Sequence, residues 1–234
     1  MQPWLDKTLK YGPHGRPITD NPKDKLPVVS TDTDGVLANW VDAFLEVYNQ
    51  KHGTNITHDQ WTNDRPWLAE PEPLMTKAQF EEAFDATLHI PEFWMKLKPY
   101  DNIDFKAINN DLDDALYNLY VLTGRVNLLA DEGIKDTTQM LSRWIRMAGV
   151  PLVTGCNAGA DDREDLLANL DVDFHLDDFI DHVEEINKGK HTKAYLMDRP
   201  WNRQYDVGDL RCTSFDDFLM KTVFADREFE AKSK

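Results

Sequence analysis

The apolar residues change spacing several times along the chain, and each change marks an element. The run from Leu26 to Thr31 is short and rich in β-branched residues, and it stops at Gly35, which predicts a buried strand. From Val36 to His52 the apolar positions Val36, Leu37, Trp40, Val41, Phe44, Leu45 and Tyr48 recur at steps of three and four, the stripe of an amphipathic helix. The pattern breaks over residues 53–104. Trp61, Pro66, Trp67, Pro71 and Pro73 punctuate its first part, and Phe80, Ala83, Phe84 and Leu88 then give helical spacing over Thr76 to Leu88. This stretch is expected to be a small helical cap inserted after the first strand–helix unit.

Alternation resumes after it. A helix over Phe105–Asn118 leads into the strand Leu119–Thr123, and a helix around Thr137–Met147 into the strand Val150–Thr154. A helix at 162–170 leads into Val172–Leu176, and Lys193–Met197 and Leu210–Thr213 supply two more short strands. Strands separated by helices predict an α/β fold, a Rossmann-like parallel sheet with helices on both faces. The core is expected over 28–52 and 105–225 with the cap at 53–104. Residues 1–27, with Pro3, Pro13, Pro17, Pro22 and Pro27, read as an N-terminal arm and a candidate homodimer contact, and 226–234 as a tail.

A length of 234 residues suits one core with a small insertion. The net charge of −16, from 42 acidic against 26 basic residues, disfavours long nucleic acid as a partner. It leaves room for a small anion at a site where a cation sets the local field. Cys156 and Cys212 build neither a disulfide framework nor a four-ligand zinc site. The N-terminus has no apolar leader and no stretch approaches about 18 apolar residues, so no membrane association and a cytoplasmic location are expected.

In a parallel sheet of this kind ligands bind beyond the carboxyl ends of the strands, and the residues there carry chemistry. The first strand ends in Asp32-Thr33-Asp34-Gly35. Alone it reads as a polar turn. Two carboxylates two residues apart can also divide labour, Asp32 attacking phosphorus while Asp34 protonates the leaving oxygen and then deprotonates water. Asp177 and Asp178 supply hard oxygen ligands of the kind Mg²⁺ prefers, or else the acidic start of a helix. Thr123 and Gly124 suit a phosphate-binding nest, and Arg125 could fork onto phosphate oxygens.

The set Asp32-x-Asp34-Gly35-Val36-Leu37, Leu122-Thr123-Gly124 and Asp177-Asp178 resembles the haloacid dehalogenase-like phosphatase superfamily over about residues 28–220. The resemblance implies a nucleophile at Asp32 and an acid/base at Asp34. It also implies a phosphate binder at Thr123 and a Mg²⁺ site from Asp32, Asp34 (through its backbone carbonyl), Asp177 and Asp178. Within the superfamily the chain is most similar to the 5′(3′)-deoxyribonucleotidase-type group. That likeness rests on the helical insert, on Pro91-Glu92-Phe93-Trp94 with Leu97-Lys98-Pro99, and on Asp198-Arg199-Pro200-Trp201-Asn202. It implies that Phe93 and Trp94 stack on a nucleobase of a small nucleotide substrate.

The superfamily's third motif is a Lys, and Arg163 stands at the corresponding place, keeping the charge but not the geometry. Lys188, Lys190 and Lys193 are the alternatives. The expected activity is Mg²⁺-dependent hydrolysis of (deoxy)nucleoside monophosphates through an aspartyl-phosphate. A polynucleotide 3′-phosphatase, a phosphatase for another small phosphoester, and a catalytically weak phosphate-binding protein stand beside it.

Overall fold

Residues 26–90, 92–114, 116–124, 143–146, 155–157 and 163–225 are described in the computed structural model. The expected arm, tail and strand at 150–154 lie wholly or almost wholly outside these residues, as does Arg125, and the helix at 137–147 is described only at 143–146, which are helical.

Among the described residues six strands form one parallel sheet: β1 (Val28–Thr31), β2 (Asn118–Thr123), β3 (Gly155–Asn157), β4 (Phe174–Asp177), β5 (Lys193–Met197) and β6 (Arg211–Cys212). Their spatial order is β3-β2-β1-β4-β5-β6. The chain builds outward from β1 to β3, returns to the middle, and builds outward again from β4 to β6. The reversal lies between β1 and β4, whose register pairs Ser30 with His175 and Thr31 with Leu176. A crevice opens at such a switch point because the helices following the two strands diverge to opposite faces.

Alternate side chains of the strands feed two apolar layers. Val29, Leu119, Val121, Leu176, Tyr195 and Met197 pack on one face with Ile108 and Leu112 of α3 (Phe105–Asp113) and with Phe215 and Phe218 of α6 (Phe215–Lys221). On the other face Val28, Leu122, Ala194 and Leu196 meet Leu167 of α4 (Arg163–Asn169) and Ile180, Val183 and Ile186 of α5 (Ile180–Lys188). The α/β sheet with helices on both faces is therefore as the periodicity predicts.

Two element boundaries differ from the sequence pattern. The first helix, α1, spans Trp40–His52, not 36–52. The N–H groups of Leu37 and Ala38 fold back onto the carbonyl of Thr33, and Asn39 caps the helix by accepting from the Asp42 N–H. Hydrophobicity at 36 and 37 reflects burial of a turn. Likewise α3 stops at Asp113, and Asn118 already opens β2.

Between α1 and α3 the chain forms short 3-10 turns and one longer helix, α2 (Lys77–Leu88), capped reciprocally by Thr76 and Gln79. This segment packs on the outer face of α1 through rings. Trp40 stacks on Phe44 at 5.0 Å between centroids, Phe44 meets Phe80 at 5.1 Å, and Trp61 stands edge-on to Phe44 at 5.6 Å. Each such pair adds about 0.5–1.5 kcal/mol beyond burial. Among the described residues no helix is long and apolar enough to cross a membrane.

Candidate active site

Asp32 is the first residue past β1, and its N–H donates to the carbonyl of Leu176, which extends the pairing of β1 and β4 by one step. The chain then leaves the sheet through a turn closed by the bonds to Thr33, while the Thr33 hydroxyl donates to the Leu122 carbonyl of β2. Gly35 is required here: its φ is +82°, and a Cβ on it would stand 2.2 Å from the Asp178 carboxylate. Backbone and carboxylate touch because no side chain intervenes. The turn therefore brings Asp32 and Asp34 to one side of a cleft and Asp177 and Asp178, from the end of β4, to the other.

The cleft holds about 240 Å³ and is lined by these four aspartates and Asp64, by Gly35, Val41 and His182, and by the rings of Trp40, Trp61, Phe179 and Trp201. Arg163, the first residue of α4, is not part of this lining but is buried against two of its aspartates, with 5 % of its surface exposed. Its Nη1 donates to Asp32 Oδ1 at 3.1 Å and to Asp177 Oδ2 at 2.6 Å. One guanidinium nitrogen thus bridges the ends of β1 and β4. The lysine alternatives lie elsewhere: Lys188 pairs with Glu185, Lys193 packs over the Tyr195 ring, and Lys190 is exposed.

Asp177 is committed to protein donors through both oxygens. Oδ2 also faces His182 Nδ1 at 3.1 Å and His175 Nε2 at 3.2 Å, and Oδ1 accepts the Phe179 N–H at 2.9 Å. Burial by itself would raise the pKa of this group. The charges of Arg163 and His182 outweigh it and hold the carboxyl well below the usual carboxylate range. His175 is fully buried, burial keeps it neutral, and its Nδ1 lies 2.7 Å from the Ser30 hydroxyl. A neutral ring that donates from Nε2 to Asp177 accepts from Ser30 at Nδ1.

Asp32 and Asp178 stand in the opposite situation. Burial, followed by the charges of Asp177 and Asp34, overcomes Arg163 and pushes Asp32 up to about 7. Asp178 is likewise raised well above the ordinary value, first by burial and then by Asp177 and Asp32. Its Oδ2 accepts from Trp201 Nε1 at 3.0 Å and its backbone carbonyl from Asn202 Nδ2 at 2.9 Å. A cleft of oxygen donors whose negative charge is only partly offset by the buried Arg163 and Arg199 fits a hard divalent cation such as Mg²⁺. With Asp177 engaged, the residues that would hold it are Asp32, Asp34 and Asp178. Among the described residues no three carboxylate, imidazole or thiol side chains are already grouped as ligands of one metal ion.

The remaining expected site residues fall in two places. Thr123 and Gly124 stand at the carboxyl end of β2, beside β1, but outside the cleft lining. Phe93 and Trp94 are displaced from the role expected of them. They are 7 % and 4 % exposed, lie in the core cluster with Leu97, Ile103 and Ile108, and do not line the cleft. The 3-10 turn Phe93–Met95 lays both rings against the main body, where large apolar rings bury the most area. The rings that do face the aspartates are Trp40, Trp61, Phe179 and Trp201. Proximity in sequence to Asp34, Asp178 and Asp198 hinted at Trp40, Phe179 and Trp201, and nothing hinted at Trp61. His182 and Asp64 gave no signal in the sequence.

Neither family models nor curated proteins match this chain. Solved structures of similar chain course include a haloacid dehalogenase-like hydrolase from Streptococcus pneumoniae, 12% identical, covering 84% of this chain and 91% of that one with a TM-score of 0.49. A phosphatase from Thermococcus thioreducens is 14% identical over 84% of this chain and 99% of its own, also at 0.49. A hydrolase of the same superfamily from Bacillus subtilis, whose structure contains magnesium, is 13% identical over 83% and 97%, at 0.48. The likeness to these structures is one of fold, the α/β sheet with helices on both faces.

Proposed function

We propose that the protein is a phosphomonoesterase whose nucleophile is Asp32 and whose preferred substrates are (deoxy)nucleoside monophosphates. The observation that carries this reading is Arg163 bridging Asp32 and Asp177, two aspartates of a cleft that Asp34 also lines. A carboxylate bonded to a buried cation is oriented for attack, and a second carboxylate two residues on lines the same cleft. Asp32 forms an oxygen–phosphorus bond as the bond to the leaving oxygen breaks, and Asp34 gives that oxygen its proton. Asp34 then takes a proton from water, which attacks phosphorus and releases phosphate from Asp32. Arg163 holds Asp32 in line throughout. Mg²⁺ bound by Asp32, Asp34 and Asp178 would screen the repulsion between these carboxylates and an incoming phosphate.

The nucleotide reading rests on Trp40, Trp61, Phe179 and Trp201, four rings beside the carboxylates in a cleft of small-molecule size. These rings replace Phe93 and Trp94 as candidates for stacking on a base. The test is phosphate release from nucleoside monophosphates, p-nitrophenyl phosphate and a 3′-phosphorylated oligonucleotide, with Mg²⁺ or EDTA. Release should require Asp32 and stop in EDTA, and Trp61→Ala should raise KM for nucleotides well above its effect on the base-free ester. Release that survives Asp32→Asn overturns the covalent mechanism. Equal KM effects overturn the base-stacking assignment, and preference for the oligonucleotide overturns the substrate class.

A further inference from the structure

Arg199 is 5 % exposed and does not line the cleft. It stands two residues beyond β5 and reaches back across 163 positions to the turn that carries Asp34. Its Nε donates to the Gly35 carbonyl at 2.5 Å and its Nη2 to the Val36 carbonyl at 2.9 Å. The guanidinium lies 3.8 Å from the centroid of the Tyr100 ring, and the Tyr100 N–H donates to the next carbonyl, that of Leu37, at 3.0 Å. Three consecutive carbonyls following Asp34 are therefore each held from outside the turn. The Arg199 fork spans two of them, a grip that a lysine ammonium cannot reproduce.

We infer that Arg199 is a positioning residue for Asp34. It fixes the backbone on the carboxyl side of the acid/base, so that one carboxyl group can serve both the departing oxygen and the incoming water. This rests on the phosphatase reading above. Asp34 precedes the left-handed Gly35, so the direction in which its Cα presents the carboxyl depends on how the peptides that follow are held. A displacement of about 1 Å at such a group is enough to cost orders of magnitude in rate.

The experiment compares Arg199→Lys with the unaltered chain on two esters. A nucleoside monophosphate releases an alkoxide that needs the proton from Asp34, whereas p-nitrophenyl phosphate releases a phenolate that does not. Loss of positioning is expected to lower the single-turnover rate of leaving-group release roughly 30–100-fold on the nucleotide and less than about threefold on the nitrophenyl ester, the later water step being common to both. In an Asp34→Asn background Arg199→Lys should lower nucleotide turnover no further. Tyr100→Leu, which removes the ring under the guanidinium but keeps the backbone bond, should show the same split in smaller measure, and thermal melting of both variants checks their folding. Equal losses on the two esters, or an undiminished effect in the Asp34→Asn background, overturn this inference alone. An unaltered chain inert on both esters overturns the phosphatase reading and this inference with it.

Discussion

Replacing Asp32 by asparagine should abolish activity and yet make the metal-free protein more stable, because the nucleophile is held against its own charge. Burial and the neighbouring Asp177 and Asp34 carry this carboxyl from an ordinary 3.8 to about 7 despite Arg163. At ~1.4 kcal/mol per pH unit, the folded state carries a penalty of up to about 4 kcal/mol once the group is ionised. The sign follows from proton binding. Between pH 4 and pH 7 the folded chain holds this proton and the unfolded chain has lost it, so stability falls as pH rises through that window and the full penalty remains above it. Asparagine keeps an oxygen for Arg163 Nη1 and removes the penalty. Thermal melting in EDTA should therefore place Asp32→Asn above the unaltered chain at pH 8. At about 2–4 °C per kcal/mol for a chain of this length, half the full penalty moves the midpoint by roughly 4–8 °C. The gap should close as the pH approaches 4, and Mg²⁺ should raise the unaltered chain more than the variant. A variant less stable than its parent at pH 8, or a gap independent of pH, would refute the account of Asp32 as a group strained by its surroundings.

Two further outcomes follow from the same geometry. Gly35→Ala should cost about 1–3 kcal/mol in urea unfolding and also depress turnover, since a Cβ at φ +82° meets the Asp178 carboxylate. Arg163→Met should destabilise by about 3–5 kcal/mol at neutral pH, because it strands the buried Asp177 without its guanidinium. That loss should shrink below the ordinary carboxylate range. There Asp177 takes up a proton in the variant, while the parent itself loses stability as pH falls toward the depressed value of the same group.

What the sequence determined by itself was whatever depends on neighbours along the chain. Apolar runs of four to six residues separated by stripes of period 3.6 specify strands joined by helices, and short range favours their parallel order. The same local logic marked Asp32, Asp34, Asp177 and Asp178, because residues that end strands share one edge of such a sheet. It could not distinguish a buried turn from a first helical turn at Val36 and Leu37, since both present the same hydrophobicity and only the bonds to Thr33 separate them.

The tertiary structure decided what depends on distance in space. Arg163 meets Asp32 across 131 positions and Arg199 meets Gly35 across 164, and neither partner leaves a trace in the other's neighbourhood. The two aspartates of the Asp177-Asp178 pair are alike in sequence, but one is saturated by Arg163, His175 and His182 while the other faces the cleft. Phe93-Trp94 and Trp40 with Trp61 are equally aromatic, and which pair lines the cleft depended on how the insert packs. Hydrophobicity says that a ring is buried, and only the fold says against what.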